Sequence, residues 1–289
     1  MTDTREFTDA HGIAIVYDVH PAQGTPRGVV QLLHGVGEHA GRYGALIGAL
    51  TGAGFHVYAD DHRGHGRTGI RQHGGPAKLG RLGPGGIRAA KDAIWQLTGI
   101  IRDEHADLPL ILLGHSWGSF LAQMLVNDHP DAWDAVILSG SALRMPGLLN
   151  AAPLNARWAG PEATGLEWLS RDPAVWKQFD EDPLTTDVPL LKLFGPVEAA
   201  KLYGRPAKEL RAARGGVDLP MLLLVGRDDS VGGPRSVHKL AEEYRTRSGV
   251  EDITTLVYPD ARHEIFAELQ QDEVRADVLA WLDARFPAR

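Results

Sequence analysis

The sequence predicts an α/β fold in which a mostly parallel, eight-stranded sheet is flanked by helices and carries one inserted helical cap. Short runs rich in valine, isoleucine and leucine alternate with longer amphipathic segments, which is typical of parallel strands covered by helices. One apolar run ends in a G-x-S-x-G pattern and is followed by helical spacing. The alternation breaks once, between residues 141 and 216.

The chain offers eight candidate strands. Residues 13–19 alternate and precede a Pro/Gly-rich turn, so they predict an antiparallel edge strand with a partner near residues 5–8. Central strands are expected at residues 29–33, 55–59, 110–113, 135–138, 221–225 and 254–258. Helices are expected at residues 43–51, 86–102, 119–128, 234–247 and 273–286.

Residues 141–216 interrupt this pattern. They lack β-branched runs, are rich in proline, tryptophan and leucine, and carry helix-like pieces at 173–181 and 189–194. Because both flanking strands belong to one pattern, we expect an excursion that returns to the same domain. The predicted core domain comprises residues 1–140 and 217–289, and the predicted helical cap is 141–216. A second, independent domain is the alternative.

Composition excludes several classes of protein. The 289 residues are 43% hydrophobic and 23% charged, which is ordinary for a globular protein with a sizeable core. The net charge is −7 without a long basic run, so no nucleic-acid partner is expected. The absence of cysteine excludes a thiol nucleophile, disulfides and cysteine zinc sites. Neither a signal-peptide pattern nor a bilayer-length apolar run is visible, so a cytoplasmic location is expected.

The strongest motif is G-H-S-W-G at residues 114–118. Ser116 follows an apolar strand and precedes a helix, an arrangement that exposes the serine hydroxyl on a sharp turn. Side chains at Gly114 and Gly118 would collide with the flanking strand and helix. Ser116 is therefore the candidate nucleophile. The alternative is a structural turn whose serine only caps the helix.

A serine nucleophile needs a base, and an acid that orients the base, in the chain order Ser, Asp or Glu, His. Asp228 and Asp229 follow one predicted strand, and His263 follows the last one. We prefer Asp229, because the third or fourth residue after a strand commonly points toward the site. His238 is a poorer base, since it lies in the middle of a predicted helix.

The negative oxygen that develops during acyl transfer needs backbone N–H donors. Trp117, the residue after the nucleophile, supplies one, and the glycine-rich loop after the third strand should supply the other. Gly35 and Gly37 allow a close approach of the backbone, and we assign the second donor to Val36. The alternative is a glycine-rich loop without a catalytic task.

Histidines crowd the loops expected at the same end of the sheet. They are His34, His39, His62, His65 and His115. No H-E-x-x-H or comparable spacing occurs and two arginines lie nearby, so no metal site is expected. Segment 60–66 is instead expected to brace the loop beneath the site through hydrogen bonds from side chains to the backbone.

The motifs, and their order along the chain, resemble those of monoacylglycerol lipases and related lysophospholipase-like serine hydrolases. The resemblance rests on H-G-V-G-E-H-A-G-R-Y at 34–43, D-H-R-G-H-G-R-T at 61–68 and G-H-S-W-G-S-F at 114–120, with further matches at 170–173, 182–184, 226–229 and 262–264. It implies an α/β-hydrolase fold with a cap, and a catalytic triad of Ser116, Asp229 and His263. It also implies that Val36 and Trp117 form the oxyanion hole.

The resemblance also bears on three further positions. Glu38 and Arg42 match residues that, in relatives, structure the loop or meet the polar head of the substrate. Trp117 stands where relatives often carry methionine, so its bulk would narrow an acyl pocket or pack under the cap. The glycine-rich segment 70–86 is loose and has no expected role.

We therefore expect a cofactor-independent serine hydrolase that cleaves carboxylic esters of small lipid-like substrates, monoacylglycerol or lysophospholipid, through an acyl-enzyme intermediate. Trp158, Trp168 and Trp176 are expected to bind substrate in an apolar tunnel, or else to pack the cap onto the sheet. Exposed apolar cap surface would allow transient contact with lipid aggregates. The alternatives are an aminopeptidase-like, lactone or C–C bond hydrolase with the same triad, and a non-catalytic ligand-binding protein of this fold.

Overall fold

The computed structural model describes residues 2–288; Met1 and Arg289, the ends of the predicted core domain, lie outside the described residues. The strands are β1 (Asp3–Thr8), β2 (Ala14–His20), β3 (Gly28–Leu33), β4 (Phe55–Asp60), β5 (Leu110–His115), β6 (Ala135–Ser139), β7 (Met221–Gly226) and β8 (Ile253–Tyr258). The helices are α1 (Gly44–Gly52), α2 (Gly66–His73), α3 (Gly86–Glu104), α4 (Trp117–Asp128), α5 (Pro173–Glu181), α6 (Leu190–Ala200), α7 (Leu210–Ala213), α8 (Gly233–Thr246) and α9 (Gln271–Asp283). Every predicted strand is present, with bounds that differ by at most two residues.

The strands form one sheet in the order β1-β2-β4-β3-β5-β6-β7-β8. β2 is antiparallel to both β1 and β4, and the other neighbouring strands are parallel. The predicted mostly parallel sheet with an antiparallel edge is therefore confirmed. Because parallel strands point the same way, the loops that follow β3, β5, β7 and β8 meet at one edge of the sheet.

Helices cover both faces of the sheet because the central strands are apolar on both faces. In β5, Leu110 and Leu112 pack in the same core as α3, α4 and α8. Ile111 and Leu113 point to the opposite face and pack with α1 and α9. Among the helices of residues 2–288, none combines the length and the apolar character that a membrane span requires.

Helix α2 is absent from the sequence prediction, which treats segment 70–86 as loose. The helix ends where Gly74 adopts a left-handed backbone conformation, with φ of 72°. Its eight residues make about two turns, and its buried positions are glycine and threonine. The helical periodicity of apolar residues that would predict it is therefore missing.

The cap segment, residues 141–216, lies between two strands that pair directly with each other, β6 and β7. The helix-like piece predicted at 173–181 is α5, and the piece at 189–194 is the first part of α6. α6 continues past a kink at Gly195, where φ is 76° and Pro196 follows. That these residues are a cap on a single core domain stays a prediction.

Candidate active site

Ser116 lies at the turn between β5 and α4. Its backbone has φ of 52° and ψ of −123°, a conformation that a residue other than glycine adopts only under strain. A Cβ atom at Gly118 would lie 2.4 Å from the carbonyl oxygen of Leu33, and one at Gly114 would lie 2.6 Å from the carbonyl oxygen of Gly118. These are backbone contacts without room to adjust, so the predicted steric need for both glycines is confirmed.

Hydrogen bonds to the backbone of Ser116 hold the strained turn. Its N–H donates to the carbonyl oxygen of Ser139 on β6 (2.9 Å), and the Ser119 hydroxyl donates to the carbonyl oxygen of Ser116 (2.6 Å). The Ser116 side chain makes no capping hydrogen bond to α4 within the described chain. The alternative in which this serine only caps the helix is therefore not supported, and its hydroxyl is left for other partners.

Asp229 and His263 meet at the ends of neighbouring strands, after β7 and β8. The Nδ1 atom of His263 lies 3.0 Å from Oδ1 of Asp229, and both residues are buried. The same carboxylate oxygen accepts a hydrogen bond from the N–H of Val231 (2.8 Å). Nε2 of His263 is buried and has no hydrogen-bond partner within residues 2–288, so this atom is available to accept a proton.

The pKa values of two neighbouring histidine side chains, His263 and His115, are shifted in opposite directions. Burial lowers the pKa of His263, but the charge and hydrogen bond of Asp229, with Glu264 and Glu38 adding to them, raise that pKa above its ordinary value. His115 lies with its ring centroid 4.8 Å from that of His263. Burial, reinforced by His263, lowers the pKa of His115 to about 3. His115 is therefore a neutral neighbour, and His263 is the basic group.

Asp228 and His238, the alternative acid and the alternative base, do not contact the Asp229–His263 pair among the described hydrogen bonds. The Asp228 carboxylate accepts a hydrogen bond from Arg157 (2.9 Å), and both side chains are substantially exposed. His238 lies within α8 and is exposed to solvent. Of the acids after β7, only Asp229 contacts His263 among the described hydrogen bonds, which agrees with the preference drawn from the turn.

The loop after β3, residues 34–43, lies against Ser116 and is named the oxyanion loop after its predicted role. A Cβ atom at Gly35 would lie 3.1 Å from Cβ of Ser116. Gly37 has φ of 77°, and a Cβ atom there would lie 2.3 Å from the carbonyl oxygen of Thr186. The carbonyl oxygen of Gly37 accepts a hydrogen bond from the N–H of Thr186 (2.8 Å). The loop is thus packed between Ser116 and the cap segment, and Gly37 is sterically required, because its φ is positive and its close contact is with backbone.

Glu38 and Arg42 form an internal network. One carboxylate oxygen of Glu38 accepts hydrogen bonds from the N–H of Gly35 and from the Tyr43 hydroxyl (both 2.6 Å). Its other oxygen accepts from Arg42 (2.7 Å), which also makes a bidentate pair with Glu264. These contacts are those of residues that structure the loop. Contact of Glu38 or Arg42 with a substrate stays a prediction.

The histidine cluster braces the site from below. Asp61 accepts hydrogen bonds from the N–H of Ala40 (3.0 Å) and from the N–H of Arg67 (2.9 Å). The ring of His34 stacks on that of His62 at 3.9 Å and accepts a hydrogen bond from the His62 N–H. The predicted bracing by segment 60–66 is therefore confirmed. Within residues 2–288, no group of three His, Asp or Glu side chains is placed to hold a metal ion.

A largely apolar cavity of about 480 Å³ opens onto these residues. Ser116, His263, Val36, Trp117 and Trp168 line it, together with leucines from the cap segment and two phenylalanines, Phe120 of α4 and Phe179 of α5. The Trp168 ring lies 4.9 Å from the His263 ring. The candidate nucleophile, the candidate base and the two residues assigned as oxyanion donors therefore line one volume that suits an apolar chain.

The three cap tryptophans do not share one environment. Trp158 and Trp176 lie outside the wall of the cavity. They flank the Arg262 guanidinium, at 4.5 and 6.0 Å from their ring centroids, and Trp176 also donates to the carbonyl oxygen of Ser170 (2.7 Å). For these two, the contacts match the packing alternative, because cation–π and hydrogen bonds hold their rings away from the cavity. Only Trp168 lines it.

The contacts of Trp117 match the expectation that it packs under the cap segment, and narrowing of an acyl pocket stays a prediction. Trp117 is buried, stacks on His65 with ring centroids 5.1 Å apart, and packs against Phe194 of α6 at 5.3 Å. It therefore packs against the cap segment, and it is also one of the residues that line the cavity. As the first residue of α4, it has a backbone N–H without an acceptor inside the helix, as the assigned donor role requires.

The sequence reasoning missed the contacts that join the cap segment to the site. The N–H of His263 donates to the carbonyl oxygen of Trp168 (3.3 Å), and the N–H of Glu264 donates to that of Leu169 (2.7 Å). Glu264 itself received no role. The sequence offers one indication of a role for Glu264, its position directly after the candidate base. Arg42, with which Glu264 pairs, lies 222 positions away in the sequence.

Comparisons with known proteins agree with this geometry. A family model described as "Serine aminopeptidase, S33" matches residues 24–270. The chain is 31% identical to the monoacylglycerol lipase of Mycolicibacterium smegmatis, over 96% of this chain and 95% of that protein. A thermostable carboxyl esterase from Bacillus coagulans, solved in complex with glycerol, matches with a TM-score of 0.83 and 25% identity over 99% of each chain. A monoacylglycerol lipase from Paleococcus ferrophilus matches with a TM-score of 0.66 and 30% identity, over 92% of this chain and 98% of that one.

Proposed function

Because the chain belongs to the Serine aminopeptidase, S33 family, and is related to monoacylglycerol lipase, we propose that it hydrolyses monoacylglycerols or lysophospholipids with Ser116 as the nucleophile. The chain is an α/β-hydrolase and a carboxylic ester hydrolase that acts on a small-molecule ester. The observation that carries the proposal is the His263–Asp229 contact of 3.0 Å at the wall of an apolar cavity that Ser116 also lines.

In the proposed reaction, the Ser116 hydroxyl oxygen attacks the ester carbonyl carbon while its proton passes to Nε2 of His263. Asp229 holds the imidazole in the required tautomer and stabilises the imidazolium. The N–H groups of Val36 and Trp117 stabilise the negative oxygen of the tetrahedral intermediate. The intermediate collapses to an acyl-enzyme, and the alcohol leaves with the proton from His263. Water then cleaves the acyl-enzyme by the same steps and restores the hydroxyl of Ser116.

The cavity favours an acyl ester over an aminoacyl amide. An aminopeptidase must bind the positive amino terminus of its substrate, and a buried, unpaired carboxylate is the group suited to that task. Glu38 and Glu264 are the buried carboxylates at the cavity wall, and both are paired with Arg42. The third carboxylate that lines the cavity, Asp187, is exposed to solvent. The remaining wall is mainly apolar, with leucine as its most frequent residue, which suits an acyl chain.

A substrate panel tests this assignment. We expect monoacylglycerols and lysophosphatidylcholine to be hydrolysed faster than aminoacyl amides, and Trp168→Ala to raise the KM for long acyl chains about tenfold through lost apolar contact. Trp158→Ala is the matched control, because it removes the same side chain from the cap segment outside the cavity wall. Faster turnover of amides, lactones or C–C substrates than of every acyl ester contradicts the lipid assignment.

We also propose transient contact with lipid aggregates through α6. Leu191 and Val197 of this helix are 60% and 73% exposed, and Val188 and Tyr203 extend the apolar surface at its ends. Leu191 and Val188 also line the cavity, so this surface lies at its entrance. The cytoplasmic location and the absence of a nucleic-acid partner stay predictions from the sequence.

Flotation with neutral phosphatidylcholine vesicles measures this contact. Leu191→Asp together with Val197→Asp is expected to reduce the vesicle-bound fraction severalfold, since each buries a charge at the lipid boundary. Val217→Asp is the control, because Val217 is 63% exposed but lies outside α6. Equal binding by all three proteins would show that α6 is not the contact.

A further inference from the structure

Glu264 occupies a junction in the active site. Its two carboxylate oxygens accept hydrogen bonds from both terminal nitrogens of Arg42, at 2.6 and 2.7 Å. The side chains are only 9% and 14% exposed. A bidentate pair of this kind fixes the relative orientation of its two partners as well as their distance. Glu264 follows His263 directly, so the pair fixes the loop that carries the candidate base.

The other end of this pair is tied to the oxyanion loop. Arg42 donates to one oxygen of Glu38 (2.7 Å), and the other oxygen of Glu38 accepts from the N–H of Gly35 (2.6 Å). Gly35 lies beside the nucleophile, since a Cβ atom there would be 3.1 Å from Cβ of Ser116. A continuous chain of charged hydrogen bonds therefore runs from the loop of His263 to the backbone beside the nucleophile.

The backbone of Glu264 makes a third connection. Its N–H donates to the carbonyl oxygen of Leu169 (2.7 Å), next to Trp168 in the cap segment. Trp168 in turn accepts from the N–H of His263 and packs on its ring. The cap segment, the loop of His263 and the oxyanion loop are thus joined at one residue.

We propose that Glu264 is a positioning residue for ester hydrolysis, which holds His263 and the oxyanion loop in register with Ser116 and keeps a negative charge beside the His263 ring. The proposal rests on the proposed function of Ser116 and His263. Glu264 acts through Arg42 and through its own backbone, and it transfers no proton. Without Glu264, His263 and the oxyanion loop would no longer be held in place relative to Ser116, and catalysis requires their positions to be fixed to within a fraction of an ångström.

The surrounding charges decide the sign of the electrostatic effect. The groups that face His263 or its partners are Asp229, His115, Glu264, Glu38 and Arg42. Two carboxylates share one guanidinium, so this trio carries one net negative charge. Glutamine at position 264 leaves Arg42 and Glu38 as a neutral pair and removes that charge. The imidazolium is then less stabilised, and the pKa of His263 falls.

The experiment compares Glu264→Gln, Glu264→Asp and Glu268→Gln with the parent protein. Two quantities are followed against pH: the rate at which a fluorophosphonate labels Ser116, and the NMR titration of the His263 ring. Labelling requires neutral His263, so its rate rises with pH through the pKa of that residue. We expect Glu264→Gln to label about a hundredfold more slowly, with both midpoints about one pH unit lower.

The other variants separate charge from packing. Glu264→Asp keeps the charge on a shorter side chain, so we expect the parental midpoint and an intermediate labelling rate. Glu268 is fully buried in the same region, but it pairs with Arg171 and the N–H of Arg262. Glu268→Gln is therefore expected to lower stability, with a smaller shift of the midpoint than Glu264→Gln.

Unchanged midpoints in folded Glu264→Gln would overturn the proposal and leave Glu264 a structural residue. A shift in Glu268→Gln as large as in Glu264→Gln would also overturn it. Failure of the proposed function looks different, because a parent protein that turns over no ester still reports the His263 titration by NMR. The inference and its premise can therefore fail separately.

Discussion

Replacing Ser116 by alanine is expected to lower the rate of ester hydrolysis by about 10⁶-fold and to abolish labelling by a fluorophosphonate. The change removes the attacking oxygen but none of the groups that hold the turn in place. Two hydrogen bonds hold this turn through the backbone of Ser116: its N–H donates to the carbonyl oxygen of Ser139, and its carbonyl oxygen accepts from the Ser119 hydroxyl. Alanine keeps those groups and the Cβ atom, so the variant should fold.

Initial rates on a short-chain ester and the mass of the labelled protein measure this outcome. Ser119→Ala is the matched control, because it removes a buried serine hydroxyl one turn away whose partners are Ser116 and Ser141 rather than the cavity. Ser119→Ala should still take up one probe per chain. A folded parent protein that takes up no probe would favour the non-catalytic, ligand-binding alternative.

Asp229→Asn has the second largest expected effect, a loss of about 10⁴-fold in kcat. The Asn side-chain amide can donate to Nδ1 of His263, which favours the tautomer whose Nε2 carries the hydrogen. That tautomer cannot take the proton of Ser116. The amide also lacks the charge that stabilises the imidazolium, and it is this charge that raises the pKa of His263 against the opposing effect of burial.

The neighbouring acid provides a stringent control for this variant. Asp228→Asn makes the same chemical change one residue away, in an exposed pair with Arg157. We expect its kcat to stay within about twofold of the parent, because an exposed ion pair contributes little. If Asp228→Asn were the more damaging substitution, the assignment of Asp229 as the orienting acid would be wrong.

Local patterns sufficed for most of the fold. A strand buried on both faces must be apolar along its whole length, so the run at 110–113 identified β5 without any knowledge of its neighbours. The G-x-S-x-G pattern identified the turn because only glycine fits beside the backbone of Leu33. Helix α2 lacks such a pattern, since its buried residues are glycine and threonine.

The candidate site also has features that the sequence predicts and features that only the folded structure reveals. The sequence by itself determined the strand order along the chain, the turn at Ser116, and a short choice of acids and bases, because each depends on neighbouring residues and on backbone sterics. Only the tertiary structure decided that Trp168 faces His263 while Trp158 stacks on Arg262, and that Glu264 reaches Arg42. Those contacts join residues far apart in the chain, and their partners are selected by the path of the folded backbone, which no local pattern encodes.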